Sequence, residues 1–123
     1  FFLKMKIYVI LLVFSLAAFA AASGRGRSHS ITWGARTYRD MHLHREIITE
    51  KSKFLRVVTK KFVFDQKKLA RTITQIVITD QIRDGNGGYA YLTAGGPQTT
   101  YAKIHLKSQR NQGFSFIIDI YGV

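Results

Sequence analysis

Histidine is the side chain in this sequence best suited to chemistry near neutral pH, and two of the four histidines, His42 and His44, are separated by one residue. On a β-strand that spacing places both imidazoles on one face, where they could ligate a metal ion. The sequence offers no third ligand near the pair. We therefore interpret both as exposed histidines in a basic region, and we expect no metal or other cofactor.

Acidic and glycine residues in the segment 80–88 raise the question of a calcium or phosphate site. Asp80, Asp84 and Asn86 supply oxygen atoms, but an EF-hand loop closes with a glutamate at its twelfth position, and Gly95 stands at that position here. A phosphate-binding loop would continue into Gly-Lys-Ser/Thr and a helix, which this segment does not. We predict a structural hairpin turn made by Asp84, Gly85, Asn86, Gly87 and Gly88.

Residues that could act as nucleophiles lack the partners that catalysis requires. Cysteine is absent, which excludes a thiolate nucleophile, a disulfide framework and cysteine-ligated zinc. Ser108 and Ser115 belong to no motif that supplies a general base, and the seven acidic residues are scattered. We do not expect the protein to be an enzyme.

Positive charge is the strongest compositional signal. Lys and Arg number 19 against 7 Asp and Glu, a formal net charge of +12 that favours polyanionic partners, with nucleic acid among them. Most of the excess lies before residue 72. The candidate polyanion-binding residues are Lys51, Lys53, Arg56, Lys60, Lys61, Lys67, Lys68 and Arg71.

The N-terminal segment has the pattern of a secretory signal peptide. Residues 7–22 carry no charge, follow Lys4 and Lys6, and end in alanines spaced for cleavage after Ala22. The apolar run is shorter than the ~20 residues that span a bilayer, so we expect no stable membrane span after cleavage. The predicted organisation is a signal peptide at 1–22 with Met5 as initiator, a mobile basic arm at 23–30 and one domain at 31–123.

That domain reads as β-strands, because apolar residues recur at every second position. Phe114, Phe116, Ile118 and Ile120 predict one core face. In 99–107, a second core face of Ala102, Ile104 and Leu106 alternates with Tyr101, Lys103, His105 and Lys107. Further strands are predicted at 31–38, 43–49, 54–64, 72–79 and 89–94.

The segment 51–71 has a second interpretation as a basic amphipathic helix that lies on membranes. We favour a strand because the β-branched and aromatic residues of 57–64 prefer extended chain. Turn residues at 84–88, 95–97 and 110–113 predict that consecutive strands are antiparallel neighbours. The expected fold is an all-β, single antiparallel β-sandwich, or flattened barrel, of about seven short strands.

Several blocks of the C-terminal half resemble the multiprotein bridging factor two family of arthropods. They occur in order at 76–81, 84–90, 95–96, 107–110 and 116–122, and a weaker upstream part includes Trp33, Gly34, Asp40 and Glu46. Many members are called probable salivary secreted peptides, and the family is named after an activator that bridges a sequence-specific regulator to the basal transcription machinery. The resemblance implies a small all-β domain with an interaction role, without catalytic residues or a cofactor.

Three functions remain open from the sequence. The leading one is a secreted, extracellular, non-enzymatic binding protein similar to salivary peptides, acting on an unknown protein partner or polyanion. The alternatives are an intracellular coactivator in the nucleus and a polyanion-binding protein. The family block least explained by folding is Ser108, Gln109 and Arg110, for which we expect a turn whose polar side chains bond the backbone.

Overall fold

The computed structural model describes residues 28–68 and 70–123, so the signal peptide and residues 23–27 of the predicted arm lie outside the described residues. The described residues form seven β-strands and no helix: β1 (Ile31–Gly34), β2 (Met41–Glu50), β3 (Thr59–Asp65), β4 (Ile73–Asp80), β5 (Tyr89–Gly95), β6 (Tyr101–Lys107) and β7 (Phe114–Gly122). None of this part of the chain has the helical length and apolar character that a membrane span requires.

The strands form two open antiparallel sheets. One has the order β1-β4-β7-β2 and the other the order β3-β6-β5. Side chains from both sheets meet in one hydrophobic core, and neither sheet closes on itself. The predicted all-β sandwich is therefore confirmed, in its sandwich form rather than as a barrel.

The core consists of the alternating apolar residues that face the opposite sheet. The four-stranded sheet contributes Ile73, Ile76, Ile78, Phe114, Phe116, Ile118 and Ile120, and the three-stranded sheet contributes Phe62, Ala90, Ala102, Ile104 and Leu106. Both core faces predicted for 99–107 and 114–120 are confirmed. Each large apolar side chain removed from water contributes about 1.5–3 kcal/mol, so these faces hold the two sheets together.

A bulge in β2 corrects the prediction that His42 and His44 share a face. The β2–β7 register shifts between them, because His42 pairs with Tyr121 while His44 pairs with the next residue, Ile120. His44 consequently packs its ring toward the other sheet, 6.0 Å from the ring of Phe62. His42 lies on the outer surface beside Asp119. The extra residue of the bulge reverses the expected alternation.

Two of the three predicted hairpin turns instead connect the two sheets. The segments 81–88 and 108–113 join β4 to β5 and β6 to β7, and in each case the two strands belong to different sheets. The turn at 95–97 is part of a true hairpin between β5 and β6, closed by a hydrogen bond from Gly96 N to Tyr101 O of 2.8 Å. Turn residues specify that a chain reverses, not which sheet the next strand joins.

The strand predicted for 54–64 begins only at Thr59. The preceding loop leaves Phe54 82% exposed, and Leu55 has a φ of 58°, which ends extended pairing there. Contacts with the 108–113 segment fix this loop: Leu55 N donates to Asn111 Oδ1, and Arg110 donates to Leu55 O. The helix considered for 51–71 does not form in the described residues of that segment.

Candidate functional site

The outer side of the three-stranded sheet carries a set of lysines and tyrosines that point into solvent. Strands β3, β6 and β5 bury every second side chain in the core, which turns the alternate residues outward. We call this surface the basic–tyrosine face and define it by Lys61, Tyr89, Tyr91, Tyr101, Lys103, His105 and Lys107.

The three tyrosines of this face are unusually open for aromatic residues of a strand. Tyr89, Tyr91 and Tyr101 are 40%, 48% and 40% exposed. Burial of an aromatic ring contributes a large part of a domain's stability, and the core of this fold is filled without these rings. Their placement is therefore a feature of the surface and not of the core.

Strand register brings the rings and the cations into contiguous rows. One row across the sheet consists of Tyr91, His105 and Lys61, and Tyr89 pairs with Lys107 in the next row. Neighbouring strands lie ~4.8 Å apart and alternate residues along a strand ~7 Å apart. Tyrosine rings and basic side chains are thus neighbours across the strands of this face.

A shallow depression of about 340 Å³ lies within the face, between Lys61, Val63 and Lys103. It forms where the β5–β6 register shifts between Leu92 and Ala94. The small side chain of Thr93 at that point turns its hydroxyl to donate to Lys103 O at 3.0 Å. Lys61, Lys103 and His105 line the depression together with the apolar side chains of Phe62, Val63 and Ile104, so basic residues border a mostly apolar hollow.

The end of the predicted mobile arm is anchored beside this face. The His29 ring stacks on Tyr89 with a centroid distance of 4.4 Å and an interplanar angle of 18°. Its Nδ1 lies 3.2 Å from Gly87 O and 3.1 Å from Gly88 O, and its backbone N donates to Asp80 at 2.9 Å. Residues 28–30 are thus held against the domain.

The Asp84–Gly88 segment is organised around a fully buried carboxylate, Asp80. Its oxygens accept hydrogen bonds from the backbone N of His29 and of Ile82. Gly87 lies so close to this carboxylate that a Cβ atom would overlap it, and Asn86 N donates to Asp84 Oδ1 at 2.9 Å. In the described part of the chain, no group of three or more His, Asp or Glu residues is arranged to hold a metal ion.

The family block Ser108, Gln109 and Arg110 bonds to backbone groups of neighbouring loops. Ser108 Oγ accepts from Val58 N at 2.7 Å and donates to Gln109 O at 2.9 Å. Gln109 donates to the carbonyl oxygens of the 85–87 turn, and Arg110 donates to Leu55 O. The block therefore ties together the segments that connect the two sheets.

The eight basic residues proposed from the sequence do not lie together. Three are in the loop before β3: Lys51, Lys53 and Arg56. Three are in the loop after it: Lys67, Lys68 and Arg71. The two loops are separated by the seven residues of β3, about 20 Å. Lys60 and Lys61 point to opposite sides of that strand, so only Lys61 belongs to the basic–tyrosine face.

Most residues of the face escaped the sequence-based site prediction. Lys103 and Lys107 lie in the nearly neutral half of the sequence, and each stands alone on its strand until β3 and β5 are paired with β6. The signal that could have found them is the Tyr-x-Lys-x-His-x-Lys alternation of 101–107, combined with a similar Tyr-x-Tyr at 89–91.

A second polar cluster lies on the outer side of the four-stranded sheet. Asp119, 9% exposed at its side chain, accepts hydrogen bonds from His42 Nε2 at 2.8 Å and Arg45 Nε at 2.7 Å. Burial opposes ionisation of this carboxyl, but the bonds and charges of Arg45 and His42 outweigh it and hold the pKa of Asp119 below its ordinary value. The bonds satisfy these groups, which makes the cluster a structural one.

Comparisons with known proteins identify relatives of this chain. A family model described as "Transcription activator MBF2" matches residues 33–122. The chain is 38% identical over 101 residues to a bumblebee protein, from Bombus ignitus, called "Probable salivary secreted peptide"; the match covers 82% of this chain and 75% of the bumblebee protein. No solved structure matches the chain.

Proposed function

The chain belongs to the MBF2 transcription activator family, and from that premise we propose that it is a secreted, non-enzymatic protein that binds an anionic polymer. The binding surface is the basic–tyrosine face. The observation that carries this proposal is the row of exposed tyrosines and lysines on β3, β6 and β5, which the hydrophobic core does not use.

Secretion is supported by the sequence pattern and by the name of the bumblebee relative. Residues 7–22 follow the charge and small-residue rules of an export signal, and the relative is described as a salivary secreted peptide. Expression of the chain from Met5 in insect cells tests this. We expect protein in the medium with a new N-terminus near Ser23. Protein retained in the cells with its N-terminus intact would contradict secretion.

Polymer binding is tested with immobilised heparin and matched charge variants. Lys61→Gln/Lys103→Gln/Lys107→Gln removes three charges from the face, whereas Lys51→Gln/Lys53→Gln/Lys68→Gln removes three exposed charges elsewhere. We expect the first variant to elute at clearly lower salt and the second to elute close to the unaltered protein. Affinity should fall steeply with salt, because binding releases counterions from the polymer. Equal elution of the two variants would show that net charge alone is responsible.

The family description favours a second function, coactivation of transcription in the nucleus. That role requires the chain to act inside the cell and therefore without export through residues 7–22. A reporter assay with the chain expressed from Met5 compares this function with the first. Reporter activation together with nuclear protein would support coactivation, and quantitative export without activation would contradict it.

A further inference from the structure

We propose that the polymer bound by the basic–tyrosine face is single-stranded nucleic acid, with bases stacked on Tyr91 and Tyr101 and phosphates paired with Lys61, Lys103 and Lys107. The inference rests on the proposed function and specifies the class of its ligand.

The tyrosines distinguish this ligand from an anionic polymer recognised by charge alone. Lysine ammonium groups are sufficient to pair with the sulfates of a polysaccharide, which would leave the exposed rings of Tyr91 and Tyr101 without a role. Stacking of a nucleic-acid base on an aromatic side chain is worth about 1–3 kcal/mol. Because every base has a flat π-surface, such a platform binds different sequences similarly.

The shape of the face selects a single strand over a duplex. The face is the open outer surface of a sheet, and its rings lie in register rows next to the lysines. The bases of a duplex are stacked on one another and turn only their edges outward, so the rings cannot reach their flat surfaces. A single strand can turn its bases onto the sheet and its phosphates toward the lysines.

The molecule already stacks one planar nitrogen-containing ring on this face. His29 lies on Tyr89 at 4.4 Å with nearly parallel planes, the arrangement a base would adopt. Tyr89 is therefore partly covered, which leaves Tyr91 and Tyr101 as the open platforms. The depression between Lys61 and Lys103 lies on the same face, and these two lysines can pair with a phosphate of the strand.

One acidic residue, Asp65, lies at the edge of the basic–tyrosine face. Asp65 pairs with Tyr101 in the β3–β6 register and is exposed at that end of the face. A phosphate chain that passes Tyr101 is repelled by this carboxylate. We therefore expect Asp65→Asn to strengthen binding of the oligonucleotide, a change opposite in sign to that of the lysine variants.

The test measures fluorescence anisotropy of a labelled oligothymidylate of about 15 nucleotides with the protein as purified from the expressing cells. Tyr91→Ala/Tyr101→Ala should weaken oligothymidylate binding by about 5- to 150-fold for each base that loses its stacking partner, while heparin binding changes less than about twofold. Tyr91→Phe/Tyr101→Phe keeps both rings and should retain affinity. Tyr38→Ala removes a tyrosine that is 90% exposed outside the face and serves as the matched control.

The outcomes separate this inference from the proposed function. Heparin binding through the three lysines without oligothymidylate binding would overturn the inference and leave the proposed function standing. Equal losses of heparin and oligothymidylate affinity in the Tyr→Ala variant, with the Tyr→Phe variant unaffected, would also overturn it. Failure to bind either polymer would overturn both. A duplex of the same length that binds as tightly as the single strand would contradict the stacking arrangement.

Discussion

At the scale of single residues, Asp119 keeps its negative charge although its side chain, on the outer side of β7, is mostly buried. Its carboxylate bonds to Arg45 and His42, and these bonds depress its pKa against the opposing effect of burial. An acid whose pKa is lower in the folded state stabilises the fold above its ordinary pKa of about 3.9. That stability is lost as the pH falls through the folded-state value.

Asp119→Asn should therefore destabilise the domain at neutral pH but not in acid. We expect a loss of about 1–3 kcal/mol at pH 7, because the charged hydrogen bonds with Arg45 are weakened. The difference from the unaltered protein should shrink below about pH 4. Urea unfolding at several pH values measures this difference in stability. Asp65→Asn, at an exposed position of β3, serves as the control. A difference that is constant with pH would contradict the assignment of the effect to ionisation.

Within the family block, we expect the stability of the domain to depend most on Ser108. Its hydroxyl accepts from Val58 N at 2.7 Å, and its side chain is almost fully buried. Ser108→Ala leaves that buried N–H without its acceptor, which costs about 1–3 kcal/mol. Arg110→Ala removes an exposed partner of Leu55 O and should change the unfolding free energy by less than about 0.5 kcal/mol. Similar losses in both variants would argue against a special role for the buried hydroxyl.

At the scale of elements, the crossing from β4 to β5 depends on close contact between Gly87 and Asp80. A Cβ at residue 87 would overlap the Asp80 carboxylate, which accepts hydrogen bonds from His29 N and Ile82 N. Gly87→Ala should cost about 1–3 kcal/mol through overpacking. It should also release His29 from Tyr89, seen as altered Tyr89 ring signals in NMR. Unchanged stability and ring signals would show that the crossing adapts without strain.

The elements also show what the sequence could and could not predict. The alternation of apolar and polar residues in β6 and β7 predicted both strands and their core faces. Such a period of two is typical of a strand with one buried side. The bulge at His42 and His44 depends on pairing with β7, and the crossings at 81–88 and 108–113 depend on which sheet receives the next strand. Both are long-range choices that local residue preferences do not encode.

The candidate site was harder to predict for the same reason. Lys61 was identified from a run of basic residues, but the face exists only because β3 and β5 pair with opposite edges of β6. Lysines and tyrosines that are far apart along the chain thus become neighbours at ~5 Å. A run of basic residues in the sequence shows that positive charge is present, but the strand register determines which basic residues share one surface.

At the scale of the whole molecule, the two outer faces of the sandwich have different chemistry. The side formed by the four-stranded sheet neutralises its charges internally, as in the Arg45–Asp119 and Arg36–Asp40 pairs. The side formed by the three-stranded sheet carries lysines, and no lysine among the described residues takes part in an ion pair. Unpaired positive charge therefore lies on the basic–tyrosine face as well as in the loops before and after β3.

The same unpaired charge should make the stability of the protein rise with salt. The chain has a formal net charge of +12, and its excess positive charges repel one another in the compact state. Salt weakens this repulsion, because the screening length falls from ~30 Å at 0.01 M salt to ~10 Å at 0.1 M. Salt also weakens the arginine ion pairs, but the described residues hold only two of these. We expect the Tm to increase by a few degrees between these salt concentrations, since ~1 kcal/mol shifts the Tm of a domain this size by about 4–8 °C. Lys51→Gln/Lys53→Gln/Lys68→Gln should reduce the increase, and a Tm that falls with NaCl would show that ion pairs outweigh repulsion.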